Sequence, residues 1–203
     1  LKHEHGPVAL QAPLPASDQQ PETQRTLVSF AYYEGREGAR ENLQYFLRAG
    51  IGASQPGDGP ISYGFVINGF DCSEPIPTDR NDIVVLKRAN EGFDYGAHLA
   101  LLRYIAQTGV KAYRGEMAVE LWDFGSESQQ LTAAQLPFDK YVFLNAGVRG
   151  PFLPAYWPRS RSWTRVYLDK LSPSVKLVGN SVVCLPQSDP CVKGGPGITP
   201  NPD

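Results

Sequence analysis

The segment from Arg88 to His98 carries the side chains with the clearest chemical potential in the sequence. It alternates arginine, amide and carboxylate groups with glycine. Gly92 and Gly96 would let the backbone approach a ligand closely, and a helix starting here would present unsatisfied N–H groups to an anion. Arg88 would add a positive charge suited to phosphate. A structural interpretation competes, in which Gly92 makes a turn, Asp94 caps the helix and Gly96 permits close packing.

Three other short segments have a similar composition, and each follows an apolar run typical of a buried strand. These segments are Tyr32-Tyr33-Glu34, Asn68-Gly69-Phe70-Asp71 and Asn145-Ala146-Gly147-Val148-Arg149. Aromatic rings can stack on a ring-shaped ligand, and amides, carboxylates and arginine can bind hydroxyls and phosphates. Because the carboxyl ends of parallel strands meet at one edge of a sheet, the four segments together predict a site for an anionic, hydroxyl-rich ligand.

The chain between these segments predicts the elements that would position them. Strands are predicted at residues 26–33, 61–67, 83–86, 141–144 and 175–184. Apolar residues at i, i+4, i+7 and i+8 from Ala39 predict a helix, and residues 95–107 predict a second. Ser162 would cap a short third helix. Residues 110–136 predict an excursion such as a hairpin or lid. Strands alternating with helices predict an α/β fold with a mostly parallel sheet.

The composition argues against several classes of protein. The 203 residues include 19 Lys+Arg and 21 Asp+Glu, for a net charge of -2, so nucleic acid is not an expected partner. No apolar run approaches the roughly 18 residues of a membrane-spanning helix. Cys72, Cys184 and Cys191 lack the spacing of a disulfide scaffold or a CxxC metal site. A single Cys184–Cys191 bridge and free thiols both stay open.

The motifs together resemble a family of GT-A-type glycosyltransferases, in the branch similar to rhamnan-synthesis and other polysaccharide-building enzymes. The resemblance covers about residues 26–185. It is carried mainly by Asn90-x-Gly92-x-Asp94-x-Gly96-Ala97 and Phe143-Leu144-Asn145-x-x-Val148-Arg149-Gly150-Pro151-Phe152-Leu153-Pro154. It implies a GT-A-like, Rossmann-type α/β sandwich that transfers a sugar from a nucleotide-diphosphate sugar to a glycan hydroxyl. The implied partners are the nucleotide sugar and the glycan acceptor, with no nucleic acid and no membrane span in this chain.

The resemblance also implies roles for individual residues. Tyr32 and Tyr33 would flank the nucleotide base, and Asp71 would contact the base or the ribose. The other residues implied at the donor site are Arg88, Asn90, Gly92, Asp94 and Asn145. His98 lies beside this group, where a ligand role and a packing role are both open.

One departure from the family concerns the metal. Asn145-Ala146-Gly147 stands where many GT-A enzymes carry Asp-x-Asp, the carboxylate pair that holds Mn²⁺ or Mg²⁺ on the donor pyrophosphate. Without these carboxylates no metal ligand is assigned and the need for a divalent cation stays open. Arg149 could neutralise the pyrophosphate instead, or it could pair structurally with Asp94. Arg149 and Asp94 are the catalytic candidates, and Asp123 is a second carboxylate within reach as general base.

Two other functions stay open beside the enzyme. The missing carboxylate pair also fits a catalytically inactive module that binds a carbohydrate or a nucleotide sugar with the same fold. A nucleotide-sugar-processing enzyme of another kind, which transfers no sugar to a glycan, is the third.

Proline- and glycine-rich segments predict the domain boundaries. Residues 1–25 would be a flexible arm or linker, 26–185 the folded domain and 186–203 a loop or truncated tail. Because the chain begins with Leu1, we expect a processed chain or a fragment with any anchor upstream, and we favour the secretory pathway or Golgi lumen. About 160 residues suit a donor-binding half without its acceptor half.

Overall fold

The computed structural model describes residues 24–52, 55, 58–108, 115–118 and 131–180. The strands are β1 (Thr26–Tyr33), β2 (Ile61–Asn68), β3 (Ile83–Arg88), β4 (Gly115–Ala118) and β5 (Lys140–Asn145). The helices are α1 (Ala39–Ala49), α2 (Phe93–Thr108) and the four-residue α3 (Arg165–Leu168), with a 3₁₀ turn at Ala133–Gln135. The predicted arm at 1–25, apart from its last two residues, and the predicted tail at 186–203 lie outside the described residues.

The strands form one sheet in the order β4-β3-β2-β1-β5, and every neighbouring pair is parallel. Thr26 of β1 lies opposite Ile61 of β2 on one side and Lys140 of β5 on the other. The prediction of an α/β fold with a parallel sheet is therefore confirmed, and the sheet is Rossmann-like. The strand order reverses between β1 and β5, which is where such sheets open a ligand-binding crevice at their carboxyl edge.

Helices cover both faces of the sheet, which explains the continuous apolar runs in the central strands. Alternate residues of β1 contact different helices. Val28, Phe30 and Tyr32 lie in the cluster with Leu43 and Phe46 of α1. Leu27 and Ala31 lie in the cluster with Leu101 and Ile105 of α2. The two helices therefore begin on opposite faces of the sheet, and each follows a strand end that carries polar residues.

The segment after β5 packs back onto the α1 face. Trp163 is buried there, with its indole N–H donating to the carbonyl of Gly50 at 2.8 Å and its ring 6.0 Å from that of Phe46. Ser162 precedes α3 but is not its N-cap. That position is Thr164, and the Ser162 hydroxyl accepts from its backbone N–H at 3.2 Å.

The predicted strand at 175–184 is wrong for residues 175–180, and 181–184 lie outside the described residues. Ser172 and Val175 exchange backbone hydrogen bonds at 2.9 and 3.2 Å, which makes a tight turn. Residues 176–180 lie along the side of β5 that faces away from β1. A cavity of about 520 Å³ separates them from the strand. Within the predicted excursion at 110–136, residues 115–118 pair in parallel with β3 as β4.

Candidate functional site

The carboxyl edge of the sheet brings two of the predicted site residues into direct contact. Asn145 ends β5 and Asp94 lies in the first turn of α2. The Asn145 amide Nδ2 donates to Asp94 Oδ2 at 2.7 Å, and Asn145 Oδ1 accepts from the backbone N–H of Gly147 at 2.8 Å. The side chain of Asn145 thus joins the two motifs that carry the resemblance and fixes the turn that follows β5.

Arg149 has a different partner from the one predicted. It is exposed, and its Nε donates to Asn42 Oδ1 of α1 at 3.2 Å. Asn42 Nδ2 in turn donates to the carbonyl of Ala146 at 2.9 Å. The described residues show no ion pair between Arg149 and Asp94, and the Asp94 carboxylate accepts from Asn145 instead. Arg149 lies beside the 145–147 turn and is anchored through α1.

A second arginine at this turn was not predicted from the sequence. A Cβ added to Gly147 would lie 2.7 Å from Nη1 and Nη2 of Arg36 and 2.8 Å from its Cζ. The guanidinium of Arg36, from the exposed loop between β1 and α1, therefore lies against the bare backbone of Gly147. An arginine in a short polar loop has no periodic pattern that would single it out, so only the fold connects it to residue 147.

Arg88 has a structural environment. Its side chain is 3% exposed, Nη1 donates to Asn68 Oδ1 at 2.8 Å, and Nη2 donates to the carbonyl of Glu91 at 2.8 Å. Burial lowers the pKa of this guanidinium, an effect that Glu91 partly offsets. Arg88 therefore connects the ends of β2 and β3 with the loop that leads into α2, and it supports the site from beneath.

The two tyrosines at the end of β1 have different environments. Tyr32 is 1% exposed, and its hydroxyl donates to Glu34 Oε2 at 2.5 Å. Burial chiefly raises the pKa of Tyr32, and this hydrogen bond chiefly lowers that of Glu34. Tyr33 is 44% exposed, and its ring lies over Gly35 and Gly69, where added Cβ atoms would lie 2.8 and 3.3 Å from ring atoms. Tyr33 is therefore the tyrosine with a ring open to a ligand.

The remaining predicted donor residues lie at the same edge. Asp71 and Asn90 are both exposed, after β2 and β3 respectively. Gly92 has a left-handed φ of 68°, and Gly96 donates its backbone N–H to the Gly92 carbonyl at 2.7 Å. A Cβ on Gly96 would lie 2.4 Å from the carbonyl oxygen of Glu91. Both glycines thus have the turn and close-packing roles of the structural interpretation, while the Asp94 side chain bonds Asn145.

His98 has the packing role rather than a free ligand position. Its Nδ1 lies 2.7 Å from the hydroxyl of buried Ser29, and its ring centroid lies 4.9 Å from that of Phe143. Burial lowers the pKa of His98 to about 4, although Asp94 acts in the opposite direction. The imidazole is therefore neutral at pH 7 and packs against Ser29 and Phe143.

Two exposed aromatic rings lie beside Asp94 at the start of α2. Phe93 is 80% exposed and Tyr95 is 89% exposed. Phe93 also has a left-handed φ of 52°, which is unusual for a bulky side chain. Exposed aromatic faces of this kind can stack on the apolar face of a sugar ring.

The part of the chain that the structure describes contains no group of three or more His, Cys, Asp or Glu side chains placed to hold a metal ion. In those same residues, no helix has the length and apolar character needed to cross a bilayer. No protein-family model matches the sequence, and neither the curated proteins nor the solved structures include a significant match.

Proposed function

We propose that the chain is the donor-binding domain of a GT-A-like glycosyltransferase, which moves a sugar from a nucleoside-diphosphate sugar to a glycan hydroxyl. The observation that carries the proposal is the hydrogen bond between Asn145 and Asp94. It unites two sequence motifs at the carboxyl edge, where the strand order reverses and where parallel sheets bind nucleotides.

The surrounding residues suit the parts of such a donor. The open ring of Tyr33 offers a stacking surface for the base, and Asp71 lies beyond the neighbouring strand to accept from base or ribose. Asn90 is exposed towards solvent for sugar or ribose hydroxyls. Arg149, beside the 145–147 turn, supplies positive charge for the diphosphate.

The reaction breaks the bond between the anomeric carbon and the diphosphate oxygen and forms a bond from that carbon to the acceptor oxygen. The diphosphate leaves with the bonding electron pair, so fixed positive charge near it lowers the barrier. The acceptor hydroxyl loses its proton to a base, for which Asp94 is the candidate carboxylate. Phe93 and Tyr95 flank Asp94 in sequence and suit an acceptor sugar ring.

Calorimetric titration with UDP, GDP and dTDP, and with their sugars, tests the donor site. We expect wild type to bind one of these nucleotides below millimolar concentration, and Asn145→Ala to weaken that binding about tenfold, equivalent to one charge-assisted hydrogen bond. Asn81→Ala is the matched control, because Asn81 is exposed just before β3, at the opposite edge of the sheet. Absence of binding to all nucleotides, with and without Mn²⁺, would contradict the proposal.

A second candidate is a catalytically inactive binding module. It is favoured by one observation, that Asn145 and Gly147 stand where a carboxylate pair would hold a catalytic cation. Donor hydrolysis assayed with and without Mn²⁺ separates the two functions. Turnover that is lost in Arg149→Ala supports the enzyme, whereas tight donor binding without any turnover supports the module.

A further inference from the structure

The guanidinium of Arg36 occupies the space that a side chain at position 147 would fill. Three of its atoms, Nη1, Nη2 and Cζ, lie within 2.7–2.8 Å of the position of an added Cβ. These nearly equal distances mean that the guanidinium lies across the glycine rather than touching it with one nitrogen. Any residue other than glycine at this position would displace Arg36.

The backbone of Gly147 does not itself require glycine. Gly147 does not have a left-handed φ, in contrast to Gly38, Gly59, Gly69 and Gly92. The turn is held instead by Asn145 Oδ1, which accepts from the Gly147 N–H. The backbone conformation at position 147 therefore does not need glycine. What glycine provides there is the space that the Arg36 guanidinium occupies.

Arg36 also differs from its neighbour Arg40 in charge pairing. Arg40 Nε lies 2.6 Å from Glu74 Oε1. The nearby Glu34 accepts from Tyr32 and from the hydroxyl and backbone N–H of Ser73. Within the described residues, Arg36 has no carboxylate at salt-bridge distance.

We propose that Arg36 is a diphosphate-binding residue that supplies the positive charge which a divalent cation would supply beside an Asp-x-Asp pair. This inference rests on the proposed function, because it names how the donor site holds its diphosphate. Asn145 and Gly147 remove two carboxylates, and Arg36 enters the space above Gly147. Arg149, anchored on Asn42, contributes a second guanidinium at the same turn. Planar guanidinium groups bind phosphate oxygens in pairs and need no metal.

The test compares five proteins in the presence of EDTA, using inorganic pyrophosphate, UDP, GDP and dTDP as probes. We expect wild type to bind pyrophosphate and one nucleotide without metal, and Arg36→Ala to weaken both at least about tenfold. Gly147→Ala should give a similar loss although the arginine is retained, because the new methyl group displaces its guanidinium. Arg48→Ala is the charge-matched control, since Arg48 is exposed in the last turn of α1.

The outcomes separate this inference from the proposed function. Nucleotide binding that requires Mn²⁺, or that is unchanged in Arg36→Ala, overturns the role of Arg36 and leaves the donor site standing. Pyrophosphate bound in EDTA without any nucleotide affinity supports Arg36 and contradicts the nucleotide-sugar function. Binding of neither probe in EDTA overturns the inference. Arg36→Lys, which keeps the charge without the planar fork, should recover only part of the affinity.

Discussion

Asn145 shows why an amide, rather than a carboxylate, stands at the end of β5. Its nitrogen donates to Asp94 and its oxygen accepts from Gly147. A carboxylate at position 145 could make only the second bond at neutral pH, because an ionised carboxylate has no proton to donate. Asn145 is therefore the residue that aligns Asp94 with the turn after β5.

Asn145→Asp should destabilise the protein at pH 7 by about 2 kcal/mol. The carboxylates of residues 145 and 94 would repel each other at hydrogen-bond distance, and the hydrogen bond between these residues would be lost. The repulsion raises the pKa of one carboxylate, so the deficit should shrink as the pH falls from 7 to 5. Urea unfolding at both pH values measures it. Asn90→Asp makes the same charge change at an exposed amide. A variant as stable as wild type at pH 7 would contradict the Asn145–Asp94 contact.

His98 predicts a dependence of stability on pH. Its pKa of about 4 in the folded protein is below the ordinary value near 6.5, so the unfolded chain binds this proton first. Its contribution is complete above pH 6.5 and is lost as the pH falls towards 4, by about 2–3 kcal/mol between pH 7 and pH 4.5. Glu34 and Glu74 have pKa values below their ordinary 4.5, so the stability that they contribute is lost at lower pH than that of His98, as the pH falls below 4.5.

The His98 contribution is isolated by comparison with His98→Gln. Guanidinium unfolding at pH 7 and pH 4.5 should show a smaller loss of stability in the variant than in wild type, because only wild type gains a proton at residue 98 on unfolding. An equal loss in both proteins would mean that the imidazole is solvated and titrates normally.

At the scale of elements, Arg88 connects three pieces of chain that the sheet alone does not join. It ends β3, bonds Asn68 at the end of β2 and bonds the carbonyl of Glu91 in the loop before α2. The backbone N–H of Gly69 also donates to the Arg88 carbonyl at 2.7 Å. The start of α2, and with it Asp94, is therefore positioned by a buried side chain.

Arg88→Met should lower the free energy of unfolding by about 2–4 kcal/mol, because the side-chain oxygen of buried Asn68 and the backbone carbonyl of Glu91 lose their donor. Arg48→Met, at an exposed helix position, should change it by less than about 0.5 kcal/mol. Urea unfolding at pH 7 compares the two variants. Similar stabilities would show that water replaces the guanidinium without cost.

At the scale of the whole molecule, the sequence predicts the strands and helices better than it predicts the side-chain contacts between them. The β1 bounds agree at Thr26–Tyr33 because an apolar run and a polar boundary coincide there. The four residues of β4 are too few for a periodic signal. The sequence does not distinguish Tyr32 from Tyr33, but Tyr32 packs with Val28 and Phe30 on the α1 face, whereas Tyr33 is the last residue of β1 and is exposed. Arg36 meets Gly147 only through the parallel pairing of β1 and β5.

The side of β5 that faces away from β1 has no partner strand in the described sheet, and it gives a prediction for the sheet as a whole. The backbone N–H of Lys140 donates to the carbonyl of Arg25, just before β1. The backbone N–H of Ala146 donates to the carbonyl of Ala31 in β1. Alternation therefore directs the N–H groups of Val142 and Leu144 towards β1, and those of Tyr141 and Phe143 away from it.

Hydrogen exchange followed by NMR should show slow exchange at Val142 and Leu144 and faster exchange at Tyr141 and Phe143, because only the first pair is bonded within the described sheet. Ala31 in central β1 is the internal reference for full protection. Equal protection at all four amides would mean that another strand pairs with β5 in the intact protein.

This side of β5, which has no partner strand among the described residues, has a consequence for the protein at high concentration. A strand edge with unpaired N–H and C=O groups is a template for strands of other molecules, and half-exposed Phe143 adds apolar surface to it. Lys140 at the start of the strand is a charge of the kind that discourages such pairing. The colloidal behaviour of this chain, including the concentration at which it self-associates, therefore depends on how completely β5 is covered.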